Sequence, residues 1–454
     1  MTYKSLSVYS SIIISVFCFL LCIRKSCGQT EITPWQNDKK GAISITYDDG
    51  NRNQFKVALP LMEGVKLPAT FFIITGPIKG SHYRGQFIGR PVEELIKESA
   101  TIPTSANNFF ERASASRYLG YAGASESFDQ NTGVSIYYNR ADAFYKSGKK
   151  DSAYFEMDKL YQLVREEKLE RGKYTSLELS QEEGLSWDKI KEYAAKGYEF
   201  ASHTVTHAHL AILDTANMFY ELKKSKEDIS DHLGLKYTFS AEIPFGIDDP
   251  RVMKYSMPVY QALRNRMTDP YLEEINRGFK ADPGLSAKPY VQWQRGPVTN
   301  TPLWLMKSWV DTTLAHHNIW LVLVIHGVGN LGWEPLARPL LENYFHFIKK
   351  DENDLWVATF GDVARYIRER MHARISEQNK DHKIIITLSH SLDTAFYDLP
   401  LTLKTYLPDD WGKVNIVQRN QLRIGIVKKD KKGTYILYQA VPGQGNIILS
   451  KLRR

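Results

Sequence analysis

The chain has 454 residues, 43% of them hydrophobic and 24% charged, a balance that excludes global disorder and leaves room for a packed core in two or three domains. A formal charge of +8 without a basic run excludes a nucleic-acid stripe and implies at most weak attraction to anionic wall or glycan surfaces. The 12% aromatic share fits large cores as well as exposed carbohydrate-handling surfaces.

In chain order, Lys4 precedes an apolar run, Ile12–Cys22, that is short for a bilayer span, and the small residues Ser26-Cys27-Gly28 precede Gln29. This pattern predicts a signal peptide over residues 1–28, with an uncleaved anchor as the alternative. All three cysteines lie in that segment. The mature chain is therefore expected to lack disulfides and thiolate metal sites, and any metal must be held by His and carboxylates. Removing the segment takes away Lys4, Arg24 and Lys25 and no acid, lowering the formal charge from +8 to +5. The expected product is secreted or held in the cell envelope, without a stable membrane span after cleavage.

Short apolar runs then alternate with amphipathic segments. The spacing predicts strands at Ala42–Tyr47, Ala69–Thr75, Tyr198–His203, Tyr237–Gly246, Ile319–Gly327 and Leu355–Phe360. Helices are predicted at Trp187–Lys196, Asp214–His232, Pro302–His316, Pro335–Lys349 and Gly361–His372. Such alternation predicts a parallel sheet covered by helices, with functional residues at the C-terminal ends of its strands. Residues 84–175 break the pattern as an inserted helical subdomain, which would either shape a groove or decorate the periphery. Residues 375–454 read as a C-terminal all-β module, strand-like runs punctuated by Pro, Gly, Asp and Asn in the manner of a sandwich.

Three signals carry chemistry. "ISITYDDG" ends a buried strand with two adjacent carboxylates, Asp48 and Asp49, whose like charges must be given different jobs. "SHTVTH" places His203 and His207 four residues apart, on one face if the chain turns helically, and able to share a metal given a third ligand. "LVLVIHGV" ends an apolar strand on His326, whose ordinary pKa of about 6.5 suits a general acid. His209 reads as a supporting or surface residue.

Taken together and in this order, these stretches resemble the polysaccharide deacetylase (NodB-homology) domain of the family 4 carbohydrate esterases. The resemblance covers Gly41–Gly76 and Trp187–His372. It implies an α/β fold, a distorted (β/α) barrel, here with the helical insert over 84–175 inside a domain of residues 29–374 and the β module over 375–454. It implies Asp48 as catalytic base and His326 as catalytic acid. Asp49, His203 and His207 would hold a divalent metal, Zn2+ first and Co2+ or another ion next. The implied activity is hydrolysis of N- or O-acetyl groups on a polysaccharide or cell-wall glycan, with no nucleic-acid partner.

One motif departs from the family, which has an arginine before its Pro-Pro-aromatic-Gly turn to orient the base. Here "AEIPFG" puts Glu242 at that place, followed by Pro244 and Phe245. Arg295 in "QWQRGP" is the substitute expected from the sequence, with Trp293 as an apolar wall. Glu242 and the additional β module also motivate an alternative: a glycan-binding or assembly protein on a catalytically decayed barrel.

Overall fold

The computed structural model describes residues 30–121, 133–171, 185–267, 274–277, 282–380 and 382–452. The expected signal peptide and its cysteines lie outside the described residues. The chain forms two compact units. The described part of the smaller unit comprises residues 30–33, which contain strand β1 (Thr30–Ile32), with Ala373–Ser391 and residues 400–452. The larger unit is Pro34–His372 together with Leu392–Leu399.

Among the described residues of the larger unit, nine strands form one parallel sheet: β2 (Gly41–Tyr47), β3 (Thr70–Ile73), β4 (Glu199–Ser202), β5 (Ser240–Ala241), β6 (Ala262–Leu263), β7 (Glu274–Arg277), β8 (Val291–Arg295), β9 (Ile319–Ile325) and β10 (Leu355–Val357). Their order is β6-β5-β4-β3-β2-β9-β8-β7, with β10 also paired to β2. Among the described residues the sheet therefore curls as a (β/α) half-barrel rather than closing. Helices cover it: α1 (Leu59–Val65), then, after the insert, α6 (Trp187–Ala195), α7 (Thr215–Leu233), α8 (Pro250–Ser256), α9 (Leu303–Ala315), α10 (Arg338–Lys350) and α11 (Phe360–His372).

β2 is buried along its whole length because it pairs on both sides, as parallel strands under helices are. Its alternation decides what each face does. Ile43, Ile45 and Tyr47 join Leu321, Leu323 and Ile325 of β9 and Met306, Val310, Leu341 and Phe345 of the helices in one core. Each such side chain contributes about 1.5–3 kcal/mol on burial. Ser44, Thr46 and then Asp48 take the opposite face, where Ser44 accepts from the Trp320 indole at 3.0 Å.

The insert carries α2 (Val92–Glu98), α3 (Phe109–Ser116), α4 (Val134–Lys146) and α5 (Lys150–Arg165) among its described residues. Their apolar faces close on Leu95, Phe109, Tyr138, Met157, Leu160 and Tyr161, and Ile212 of the barrel joins the same cluster. α7 is delimited by its sequence: Asp214 caps the first turn by accepting from the Asn217 amide, and Gly234 at φ 95° ends the helix. The strand expected over Tyr237–Gly246 contracts to Ser240–Ala241, since Pro244 and a left-handed Phe245 turn the chain.

The smaller unit is all-β, adding β11 (Arg374–Lys380), β12 (Lys383–Ser389), β13 (Leu401–Tyr406), β14 (Lys413–Gln418), β15 (Gln421–Ile426), β16 (Lys428–Asp430), β17 (Gly433–Ala440) and β18 (Ile447–Lys451). One antiparallel sheet runs β1-β13-β17-β16 and the other β11-β12-β18-β14-β15. Buried residues alternate along β17 and β14, as one-sided sheets require. The residues before β2 thus contribute an edge strand to this unit, and Leu392–Leu399 leaves it for the barrel.

Candidate active site

Asp48, His203 and His326 each follow the last residue of a parallel strand, β2, β4 and β9 respectively, so the sheet brings them to one end as the alternation predicts. The turn after β2 holds Asp49 at φ 76° and Gly50 at φ 77°. A side chain at Gly50 would be strained by that φ, and its Cβ would lie 3.2 Å from Ile73. Gln54 donates to the carbonyls of Asp48 at 2.5 Å and His326 at 2.8 Å, tying the two strand ends together.

The histidine pair is not on a helix. Residues 203–209 form a loop with Thr204 at φ 68° and His207 at φ 55°. A β-branched residue in the left-handed region costs about 1–3 kcal/mol and persists only where its surroundings fix it. Here the Thr75 amide donates to the Thr204 carbonyl at 3.1 Å and the Gly76 amide to the Val205 carbonyl at 2.9 Å. The Thr204 hydroxyl accepts from the His207 amide at 3.0 Å.

This loop aims both imidazoles at Asp49. Nε2 of His203 lies 3.6 Å and Nε2 of His207 3.4 Å from Asp49 Oδ1. One donor atom from each of the three residues falls within 4.8 Å of the others. Nδ1 of His203 donates to the Glu242 carbonyl at 2.8 Å, which fixes the tautomer and leaves Nε2 as a ligand atom. Burial would raise the Asp49 pKa, but the hydrogen bond from His203 and the charges of the nearby imidazoles bring it down to about 2. His207 is pushed down to about 3 by burial and by His203. The donor set is thus a carboxylate and two imidazoles, which suits zinc and other divalent transition ions. Its charge fits too: of the buried carboxylates Asp48, Asp49 and Glu242, one guanidinium pairs with Asp48 and Glu242 and none with Asp49 among the described residues, a formal deficit that a divalent cation cancels.

Asp48 is held by an arginine, and that arginine is Arg264. Its Nη1 and Nη2 donate to the two carboxylate oxygens of Asp48 at 2.8 and 2.5 Å. Nε donates to Glu242 at 3.0 Å, and Nη1 also reaches the Thr46 hydroxyl at 2.6 Å. Gln294 and Gln292 of β8 donate to the Arg264 carbonyl at 2.7 and 3.2 Å. Burial raises the Asp48 pKa, but Arg264, His326 and His203 outweigh it and hold the carboxylate below its ordinary range. Glu242 therefore shares the cation with Asp48 rather than opposing it.

Arg295 does not take this role, and Trp293 does not wall the site. Both lie on β8, where Trp293 pairs with Leu321 and Arg295 with Leu323. Those partners belong to the core under the helices, as does Trp293. Gln292 and Gln294 occupy the other face, with Arg264, so strand alternation turns Arg295 away from Asp48. Its guanidinium instead sits 4.3 Å over the Trp293 ring and donates to the Gln294 carbonyl. The sequence did hold a signal for Arg264: it ends the short apolar pair of β6 as His203 and His326 end theirs.

His326 places Nε2 3.4 Å from Asp48 Oδ2, with its side chain 26% exposed. The edge of its ring meets the half-exposed Trp333 at 4.8 Å. Pro244 is buried, whereas Phe245 is 45% exposed and stacks on His209 at 3.7 Å. His209 is itself part of a support, since its Nδ1 lies 2.7 Å from Asp142 of α4. Arg117, at the end of α3, donates to the Thr206 hydroxyl at 2.7 Å and carbonyl at 3.1 Å. Glu221 of α7 accepts from the Thr206 amide at 2.8 Å and from its hydroxyl, and pairs with Arg117 at 3.5 Å. The insert therefore braces the histidine loop from behind rather than hanging at the periphery.

Residues 36–101 and 151–257 match the family model described as polysaccharide deacetylase. A gellan lyase from a Bacillus species is 26% identical over 277 residues, covering 57% of this chain but only 11% of that protein's length. The Xyl-CE4 domain of a multidomain xylanase from the hindgut metagenome of Trinervitermes trinervoides aligns over 71% of this chain and 89% of its own, at 11% identity and TM-score 0.31. A family 4 carbohydrate esterase from Bacillus anthracis aligns over 73% and 86%, at 12% identity and TM-score 0.30.

Proposed function

From the premise that the barrel of this chain is a polysaccharide deacetylase domain, we propose that it hydrolyses acetyl groups, N- or O-linked, on a glycan outside the cell membrane, using a divalent ion. The observation that carries this reading is the division of labour at adjacent carboxylates. Asp49 faces His203 and His207, while Asp48 faces Arg264 and His326.

Asp49, His203 and His207 would hold the ion, with zinc the first choice. A bound divalent ion supplies Lewis-acid polarisation of the acyl carbonyl and a lowered pKa for water. The remaining work belongs to the chain. Asp48, kept ionised by Arg264, accepts the proton of the attacking water. His326 delivers a proton to the departing amine or alcohol. Phe245 and Trp333, exposed on the His207 and His326 sides of the site, offer rings on which sugar faces stack.

Export rests on the apolar N-terminal run; among the described residues no helix is long and apolar enough to cross a membrane. Of the two motives for the decayed-barrel alternative, Arg264 on Asp48 and Glu242 answers the first, and the β module leaves glycan binding as the second reading. The test is acetate release from chitin oligomers, peptidoglycan and acetylated xylan, with and without chelator. Release from at least one, lost on chelation and restored by zinc or cobalt, is expected. Glycan retention without acetate release in the presence of either ion would overturn the proposal.

A further inference from the structure

A second cluster of ligating side chains lies on the flank of the same barrel and shares no residue with the first. Asp228 and His232 stand one turn apart on α7, so they present to one side of the helix. His82 comes from the segment that leaves β3 for the insert. One donor atom from each of the three falls within 4.8 Å of the others.

The cluster is organised around a buried acid. The Asp228 side chain is fully buried, and its two oxygens accept from the backbone amides of His82 at 2.8 Å and Tyr83 at 3.3 Å. Among the described residues no lysine or arginine pairs with it; the groups facing it are the imidazoles of His82 and His232, each with Nδ1 at 3.8 Å. Burial accordingly raises the Asp228 carboxyl pKa. The His232 ring is fixed by stacking on Trp187 at 4.3 Å and 9°. Its Nδ1 lies 2.8 Å from the Asp228 carbonyl, and the two imidazole rings are 4.8 Å apart. His82 is half exposed, and its Nδ1 is also 3.2 Å from the Asp231 carboxylate, which makes the cluster reachable from solvent and adds a second acid beside it.

We propose that His82, Asp228 and His232 bind a divalent transition ion, with zinc the best match, at a structural site. Two imidazoles and one carboxylate favour such an ion over magnesium or calcium, which take oxygen ligands. A cation there compensates the buried carboxylate, which pairs with no lysine or arginine among the described residues. It also ties together three pieces of chain: α7, the segment leaving for the insert, and Trp187 at the start of α6, where the chain returns. The site thus fastens the root of the insert whose far side braces the histidine loop.

The experiment uses the full chain in the His203→Ala background, so that the first site is weakened. After chelation and dialysis, zinc is titrated and counted by elemental analysis, and thermal unfolding is followed in parallel. The single variant is expected to bind one tight equivalent and to gain melting temperature with zinc. Adding His82→Ala, or separately His232→Gln, should weaken that binding by at least the about 10–100-fold typical of lost outer-shell partners, and should abolish the thermal gain. Equal zinc uptake with and without these substitutions, or no tight equivalent in the His203→Ala chain, overturns the proposal and leaves an ion-pair cluster. Because no acetate is measured, failure of the deacetylase reading and failure of this site are separate results.

Discussion

Two buried arginines flank the candidate active site and hold different things. Arg264, supplied by the barrel, grips two carboxylates at once, Asp48 and Glu242. Arg117, supplied by the insert, meets one carboxylate, Glu221, and spends its other donors on Thr206. The first is a partner of the residue proposed to do chemistry; the second supports the loop that carries His203 and His207. The barrel therefore contains the parts proposed to act, and the insert braces the loop on which two of them stand.

The comparison breaks first at Arg264. Arg264→Met strands two acids in a dry interior, and loss of one partner from such a cluster costs about 3–5 kcal/mol, read as a drop in urea midpoint. Adding Glu242→Gln should recover part of that loss, because one of the two stranded charges is then gone. No recovery would mean that Glu242 does not share the cation.

Arg117→Met should cost less, about 1–3 kcal/mol, since Thr206 still satisfies Glu221. Its distinctive effect should be on the loop: zinc affinity at the first site should fall about 10–100-fold, the range for outer-shell partners, with Arg117→Lys restoring part of it. Unchanged affinity with lowered stability would reduce the insert to a fold element.

Phe245→Ala should act on substrate alone. Losing an exposed stacking ring of about 1 kcal/mol should raise KM by roughly 5-fold and spare kcat, as measured on the best substrate of the acetate panel. A kcat loss instead would place Phe245 in positioning His209.

The smallest effect separates, by pH, an acid whose pKa is lowered from one whose pKa is raised. Asp48 has a lowered pKa, so its contribution to stability is present above the unfolded value of about 3.9 and is lost as pH falls. Glu369, where burial is the largest influence, is raised to about 8. Its contribution is present below the unfolded value near 4.3 and is lost as pH rises through 8. Glu369→Gln should therefore raise the melting temperature at pH 8.5 by a few degrees and change little at pH 4. An equal shift at both pH values would contradict this sign.

Much of this arrangement is legible in the sequence where local rules decide it. A buried strand followed by "DDG", the run before "SHTVTH" and the run before "IHG" announce strand ends, and parallel topology puts strand ends together. Asp48, Asp49, His203, His207 and His326 follow from that. The orienting arginine does not, because Arg264 and Asp48 are neighbours only through sheet curvature, across strands that are far apart in the chain. Arg295 was attractive as the arginine beside an aromatic, yet "QWQR" is itself a strand, and its alternation sends Gln292 and Gln294 inward and Trp293 and Arg295 outward. The histidine spacing suggested a helical turn, whereas two left-handed residues make the loop. No local pattern could announce that, since its strain is carried by Thr75, Gly76, Arg117 and Glu221. The insert's contact with Thr206 is likewise a tertiary fact.

The central claim, that Asp49 binds an ion while Asp48 moves a proton, is tested most directly by Asp48→Asn. Zinc content and acetate release should be measured on the same preparation. Zinc content should match the unsubstituted chain while kcat falls by about 10²–10⁴-fold, the usual contribution of a positioned general base. Full acetate release by Asp48→Asn at normal zinc content would contradict the division of labour between the two aspartates.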